Sequence, residues 1–198
     1  MPKKTFFNLP ESKRSQVIKA SKKEFSRVPL ANALVSNIII NAKIPRGSFY
    51  QYFDDIEDCF YFVVDEYSKD IKTKLINNIK DFNGDIIKSY HNLFLYILDM
   101  MDDNNNKAYF ENLFLNMNSK IQKMFTPNFN DGLNNIINMV DVEKLNIQGK
   151  FSLGYVIDII ESLMIYNIIE TYNRNMSKDK KIEIFEKELL LISRGIVK

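Results

Sequence analysis

The chain has 198 residues, of which 45% are hydrophobic, and it carries a single histidine, one cysteine and six glycines. With these counts the chain lacks the residues for a histidine metal site, a histidine-containing catalytic triad or a glycine-rich phosphate loop. We therefore expect that the protein is not an enzyme and binds no metal and no cofactor. The apolar content suffices for a core, and no charge-free apolar run reaches 18 residues, so we expect no membrane span.

The start of the chain is polar and lacks the apolar stretch of a signal peptide. Cys59 has no second cysteine with which to form a disulfide within the chain. Its position beside Phe60 on an apolar helix face favours structural burial over a redox role. Together these features predict a protein of the reducing cytoplasm.

The net charge of +2 is unevenly distributed along the chain. Residues 1–53 hold ten Lys and Arg against two acidic residues, a balance of +8, whereas the remainder holds seventeen against twenty-three, a balance of −6. A basic N-terminal segment followed by an acidic remainder predicts phosphate contacts in the N-terminal quarter of the chain.

The first predicted helix opens at Leu9-Pro10-Glu11 and ends before Pro29, because proline is tolerated in a first turn but not in a helix interior. Apolar and small side chains repeat along one face of this segment at helical spacing, and lysines and arginines occupy the other face. The inward positions are Val17, Ile18, Ser21, Phe25 and Val28.

Two short helices separated by a tight break follow between residues 32 and 60. Val35, Ile38 and Ile39 give the first of them an apolar face. Lys43-Ile44-Pro45 then interrupts the pattern, and Pro45 suits the start of a second helix over residues 46–53.

That second segment is too short to be stable alone. It must therefore pack through Phe49, Tyr52 and Phe53, which leaves a polar front facing outward. The front consists of Arg46, Ser48, Tyr50 and Gln51. A helix, a turn and a short helix with such a front are typical of a helix-turn-helix DNA reader.

Residues 38–60 resemble the signature of the TetR/AcrR family of bacterial repressors, above all in the run Gly47-Ser48-Phe49-Tyr50-x-Tyr52-Phe53. Ile18-Lys19-Ala20-Ser21 and Phe25 extend the resemblance back to about Leu9. Beyond Phe60 the chain resembles the family only in its helical layout.

The resemblance implies an all-α fold with two parts. Residues 1–55 would form a three-helix helix-turn-helix DNA-binding domain, and residues 56–198 a larger helical ligand-binding and dimerisation domain. The function it implies is a transcriptional repressor that binds palindromic double-stranded DNA as a homodimer and is released by a small, largely apolar inducer.

Within this resemblance we assign DNA contacts to the outward side chains of the second short helix and the turn before it. Arg46 is expected to reach a base edge, Lys43 a phosphate, and Gly47 to allow close approach of the backbone. The full set is Lys43, Arg46, Gly47, Ser48, Tyr50, Gln51 and Tyr52.

Three positions depart from the family pattern. Lys43 stands where the turn glycine is common, Ala33-Leu34 where a Thr/Ser pair opens the helix, and Ile56 where a lysine is common. A positive φ at Lys43 would be poorly tolerated. These departures motivate the alternative hypothesis of a helical small-molecule-binding or adaptor protein whose helix-turn-helix no longer docks on DNA.

From Ile56 onward the sequence predicts a series of helices separated by short polar segments. A helix from Ile56 keeps its apolar spacing to Leu75 and would connect the helix-turn-helix to the helices that follow it in the chain. Further helices are predicted over residues 85–101, 106–117, 119–125, 131–140, 152–174 and 177–196.

Candidate ligand contacts in the body are aromatic, soft or lone polar side chains at helical positions. Most aromatic residues are expected to lie in the hydrophobic core, but such side chains also line apolar pockets. Glu161 stands alone in an apolar helix, so it either meets a polar partner, binds a cationic ligand or faces solvent. The candidates are His91, Phe94, Tyr109, Phe110, Phe114, Glu161 and Met164.

The last two helices predict a dimer interface. Residues 152–174 are apolar nearly all round, and residues 177–196 carry a near-heptad stripe, so a second copy is expected to cover them in a four-helix bundle. An internal core without a partner is the alternative. The interface candidates are Tyr166, Ile169, Phe185, Leu189 and Ile192.

Overall fold

The structure of the protein is a computed structural model that describes residues 1–115, 117–125, 136–147, 149–173 and 176–196. Within these residues there are helices and short 3-10 turns but no β-strand, which confirms the predicted all-α class. The helices are α1 (Lys4–Phe7), α2 (Glu11–Arg27), α3 (Val35–Ala42), α4 (Arg46–Tyr52), α5 (Ile56–Asp81), α6 (Ile86–Asp102), α7 (Lys107–Leu115), α8 (Ser119–Phe125), α9 (Gly149–Asn173) and α10 (Lys178–Ile196). The 3-10 turns span Leu30–Asn32 and Val142–Lys144.

The predicted helices agree with these bounds to within three residues, with three exceptions. Helix α1 was not predicted, because four residues are too few to show a period. Helix α5 continues beyond Leu75, since buried Ile79 extends its apolar spacing by one turn. Half of the helix predicted over residues 131–140 lies outside the described residues.

The turn after α5 depends on one glycine. Asn83 and Gly84 both have positive φ, 51° and 79°. A Cβ at Gly84 would lie 2.6 Å from the backbone nitrogen of Asp141, and the Gly84 carbonyl accepts a hydrogen bond of 3.1 Å from that N–H. A side chain at Gly84 would therefore separate the turn from the loop against which it lies.

The chain forms two compact units. Unit 1 comprises Met1–Lys69 and Met101–Met124, and unit 2 comprises Asp70–Met100 and Phe125–Lys198. Helix α5 therefore contributes residues to both. The division predicted after residue 55 rests on the family resemblance and stays a prediction.

The core of unit 1 is rich in phenylalanine. Phe25 on α2 meets Phe60 on α5 edge to face, with ring centroids 5.1 Å apart. Cys59, fully buried beside them, lies 3.2 Å from the hydroxyl of Ser21, and burial raises the pKa of its thiol to about 12. The thiol is therefore a packed core group and not a reactive one.

The core of unit 2 is built by α6, α9 and α10. Phe94 on α6 and Phe185 on α10 lie with their ring centroids 4.1 Å apart, and both are fully buried. Helix α9 is long and apolar enough over Ser152–Glu170 to cross a membrane by length and composition, but half of that stretch is buried inside the protein. The core helix of a soluble protein has the same property.

Candidate functional site

The turn between α3 and α4 has the geometry of a helix-turn-helix. Lys43 follows the last residue of α3 with φ 50° and ψ 46°, so it adopts the left-handed conformation that the sequence indicated a lysine would tolerate poorly at this position. The Ile44 N–H bonds the Ile39 carbonyl at 3.1 Å and so closes the end of α3. Pro45, extended at ψ 150°, then starts α4.

Helix α4, which we call the reader helix, has an apolar rear and a polar front. Phe49 and Phe53 are fully buried, as predicted, and hold the helix on unit 1. Of the proposed DNA contacts, Lys43, Arg46, Gly47, Tyr50 and Gln51 are exposed, while Ser48 and Tyr52 are half-buried. The structure thus places seven predicted contacts on one turn and one helix.

The front is positively charged and open. Lys43 and Arg46 form no ion pair with any residue that the structure describes, and the Arg46 guanidinium lies 5.9 Å from the ring centroid of Tyr50. A Cβ added at Gly47 would meet no atom of the described residues within 4 Å. The fold itself therefore does not require glycine at this position.

Two groups that the sequence did not reveal position the helix-turn-helix. Glu24, fully buried on α2, accepts hydrogen bonds from the Leu34 N–H (2.8 Å), the Asn37 amide (3.1 Å) and the Arg27 guanidinium (2.7 and 2.9 Å). These bonds, above all that from Arg27, lower the pKa of Glu24 despite its burial. Its position as the single acidic residue late in a basic helix was the available signal.

The second unexpected group is the segment before α2. Phe6 is buried in unit 1, and its ring centroid lies 5.2 Å from that of Phe53 and 5.1 Å from that of Phe62. Lys3 and Thr5 donate hydrogen bonds to carbonyls of the reader helix. The pair Phe6-Phe7 in an otherwise polar start was the only sign of this packing.

The candidate ligand contacts divide between the two units. Tyr109, Phe110 and Phe114 belong to unit 1, and Tyr109 stacks on Tyr67 with a centroid separation of 4.9 Å. Phe94 and Met164 are buried in unit 2. Cavities of 230, 390 and 490 Å³ are lined by other residues, so the pocket assignment stays a prediction.

The two polar candidates of unit 2 have different environments. Glu161 is buried and accepts a hydrogen bond of 2.6 Å from the Tyr90 hydroxyl, so it meets a polar partner and does not face solvent. Burial raises the pKa of Glu161 to about 8, although the hydrogen bond from Tyr90 opposes the rise. His91 lies at the surface, with Nε2 2.8 Å from a carboxylate oxygen of Glu186.

The predicted dimer interface needs correction. Phe185 and Leu189 are buried within the single chain, because the stripe of α10 packs inside unit 2, and so they cannot form an open contact surface. Tyr166 is exposed as predicted, while Ile169 and Ile192 are half-buried. Among the side chains of α9 and α10 that the structure describes, the exposed large apolar ones are Tyr155, Ile159, Tyr166, Leu190 and Leu191.

An all-helical chain whose basic N-terminal part presents a helix-turn-helix with a polar front belongs to the class of DNA-binding regulators. A family model described as the tetracycline repressor-like C-terminal domain matches residues 85–196, more than half of the chain. The protein belongs to this family, the TetR transcriptional regulators, whose members are DNA-binding proteins and not enzymes.

Solved structures show the same fold at low sequence identity. A TetR-family regulator from Chloroflexus aurantiacus is 20% identical, with 100% of this chain and 99% of that chain covered and a TM-score of 0.51. SmeT, the repressor of the Stenotrophomonas maltophilia multidrug efflux pump SmeDEF, is 14% identical over 93% and 90% of the two chains, with a TM-score of 0.65. Reduced NemR from Escherichia coli is 12% identical over 94% and 98%, with a TM-score of 0.62. No curated protein matches the sequence.

Proposed function

We propose that this protein is a cytoplasmic repressor that binds a palindromic DNA operator as a homodimer and is released by a small, largely apolar inducer. The observation that carries the proposal is the two-sided reader helix, with Phe49 and Phe53 buried behind it and Arg46, Gly47 and Gln51 exposed in front. An exposed arginine at the start of such a helix can form two hydrogen bonds with guanine O6 and N7.

Gly47 supports the proposal independently. Glycine costs about 1 kcal/mol relative to alanine in a helix interior and less in the first turn, where Gly47 lies, and none of the residues that the structure describes fills the space beside it. The residue is thus slightly unfavourable for the helix and unnecessary for the packing of the described residues. Close approach of a DNA backbone to the reader helix accounts for it.

The basic charge of residues 1–53 supports phosphate binding by the same surface. Their balance is +8, in a chain whose net charge is only +2. Each phosphate that the protein neutralises adds about 0.9 to the slope of log affinity against log salt. A dimer that uses Lys43 and its neighbours therefore binds DNA with a steep dependence on salt.

The inducer part of the proposal rests on Glu161. A carboxyl group that burial keeps largely protonated becomes ionised when a cationic ligand reaches it. We expect the inducer to be an apolar compound, with a cation near Glu161 as its polar feature, that binds the non-DNA-binding state more tightly. SmeT is described as the repressor of a multidrug efflux pump, so a protein of this fold represses transcription.

The test begins with selection of duplexes from a randomised library by the wild-type protein. Arg46→Ala should weaken binding to the selected duplex by roughly 5- to 150-fold and relax preference at one base pair of each half-site. Lys43→Ala should weaken binding to all duplexes alike and lower the salt slope. Gly47→Ala should weaken binding while leaving the free energy of unfolding unchanged or higher.

The matched control is Lys80→Ala, which removes an exposed cation from α5 in unit 2, away from α9 and α10. It should leave the affinity for the duplex unchanged. If the wild type selects no duplex, or if its affinity does not depend on salt, the protein is not a DNA-binding repressor, and the small-molecule-binding or adaptor function takes its place.

A further inference from the structure

The residues before α2 donate hydrogen bonds to the carbonyl groups at the C-terminal end of the reader helix. The Lys3 N–H donates to the Tyr52 carbonyl at 2.8 Å, and the Lys3 ammonium donates to the Tyr50 carbonyl at 2.9 Å. The Thr5 hydroxyl donates to the carbonyl between them, that of Gln51. Three consecutive carbonyls of α4 are therefore bonded by one short segment.

These bonds matter because α4 is short. The last four carbonyls of any helix lack a partner within the helix, and a helix of seven residues is marginal by itself. The apolar contacts point the same way, because Phe6 is buried against the rings of Tyr52 and Phe53 at the same end of α4. The segment thus holds the reader helix by its backbone and by its apolar side.

We propose that Lys3 and Thr5 are positioning residues that hold the reader helix in the orientation in which Arg46 faces DNA. The inference rests on the proposed function and extends it from the exposed front of the reader helix to the segment before α2. Neither residue contacts DNA in this proposal. Both act through the backbone of α4.

The Lys3 ammonium is already paired with a carboxylate within unit 1. Its ammonium lies 2.8 Å from a carboxylate oxygen of Asp54, the second residue after α4. An unpaired carboxylate there would repel a phosphate at the end of the reading surface. Lys3 therefore neutralises Asp54 as well as holding the helix, and we do not count it among the phosphate contacts.

The experiment compares Thr5→Val and Lys3→Met with the wild type. Thr5→Val keeps the shape of the side chain and removes only the hydroxyl donor, and Thr5→Ser should restore it. The control is Ser193→Ala, because the Ser193 hydroxyl makes the same kind of bond, 2.9 Å to the Leu190 carbonyl, on α10 in unit 2. The two readouts are hydrogen exchange of the α4 amides and affinity for the selected duplex as a function of salt.

For Thr5→Val we expect faster exchange at the α4 amides and an affinity loss of about 2- to 12-fold, the value of one hydrogen bond, with an unchanged salt slope. Lys3→Met should lose more affinity, because it also leaves Asp54 unpaired, and its salt slope should change by much less than the roughly 0.9 of a lost phosphate contact. Ser193→Ala should change neither readout. Thr5→Ser should return both to wild-type values.

The proposal is overturned if α4 exchange is unchanged in both variants, or if exchange rises while affinity stays the same. A salt slope reduced by about 0.9 in Lys3→Met would show a direct phosphate contact in place of the positioning role. If the wild type selects no duplex, the proposed function fails. Hydrogen exchange then decides by itself whether Lys3 and Thr5 hold α4.

Discussion

The carboxylate of Glu24 accepts a hydrogen bond of 2.8 Å from the backbone N–H of Leu34, the residue that precedes α3. No side chain at the start of α3 provides a cap, because Leu34 occupies the N-cap position. A buried carboxylate from α2 thus accepts from the N–H of the N-cap residue, as the glutamate of a capping box does, whereas a serine or threonine cap would accept from an N–H of the first turn. The Ala33-Leu34 departure is therefore compensated only in part.

We expect Glu24→Gln to destabilise unit 1 by about 2–3 kcal/mol at pH 7, because the amide turns donor hydrogens towards Arg27 and the Leu34 N–H. The midpoint of urea unfolding measures the change. The control, Glu183→Gln, removes an exposed carboxylate that pairs with Lys180 and Lys187, and it should shift the midpoint little.

The same variant has a defined pH dependence. The pKa of Glu24 in the folded protein is lowered from its ordinary value of 4.5, so the stability it contributes is present above that value and is lost as the pH falls through the folded pKa. The difference in unfolding midpoint between wild type and Glu24→Gln should therefore shrink below pH 4.5. A difference that stays constant down to pH 3 would contradict this assignment.

Lys43 has a backbone conformation that costs free energy. A non-glycine residue in the left-handed region is disfavoured by roughly 1–2 kcal/mol. We therefore expect Lys43→Gly to stabilise the protein by about 0.5–1 kcal/mol while it weakens DNA binding through loss of the charge. Asn83→Gly provides the comparison, since Asn83 has nearly the same φ of 51°. Asparagine tolerates this region, so its replacement should stabilise less.

Glu161 should make the stability of unit 2 fall as the pH rises. Burial raises its folded pKa to about 8 from 4.5, so the folded state holds a proton that the unfolded state releases between these values. Glu161→Gln keeps an acceptor for the Tyr90 hydroxyl and should raise the free energy of unfolding by roughly 2–4 kcal/mol at pH 9, with little effect at pH 4.

Thermal unfolding between pH 4 and pH 9 measures this change. The exposed carboxylate of Glu186 lies in the same unit, and Glu186→Gln should leave the profile above pH 7 as it is in the wild type. If Glu161→Gln destabilises the protein equally at both ends of the range, the carboxyl group is ionised in the fold.

The dimer surface is expected to lie on the exposed side of α9 and α10. Tyr155, Ile159 and Tyr166 follow one another at spacings of four and seven residues on α9, and Leu191 on α10 is 69% exposed. Leu191→Glu should fold normally and weaken the dimer by at least about 3 kcal/mol, because the interface would bury an unpaired charge.

Sedimentation at micromolar concentration and far-ultraviolet circular dichroism measure association and folding together. Ile40→Glu is the control, because Ile40 is 71% exposed on α3 in unit 1 and lies outside the proposed interface. It should remain dimeric. A monomeric wild type, or a Leu191→Glu protein that is still dimeric, would contradict the assignment.

Local patterns in the sequence predicted the elements that depend on near neighbours. The spacing of Val35, Ile38 and Ile39 predicted α3, and Pro45 predicted the start of α4, because periodicity and proline geometry act within one or two turns. The buried rear of the reader helix followed from its length, since seven residues need support. The seven DNA contacts assigned to this turn and helix stay predictions.

Tertiary structure decided what depends on residues far apart in the chain. No periodicity could show that Glu24 caps α3, that Lys3 and Thr5 bond α4, or that Tyr90 donates to Glu161, since each partner lies ten or more residues away. The apolar stripe of α10 shows why Phe185 and Leu189 were wrongly assigned to the dimer interface. The sequence determined that Phe185 and Leu189 share a face, but only the folded chain determined that this face is buried, with Phe185 against Phe94 of α6, and that Leu191 is exposed.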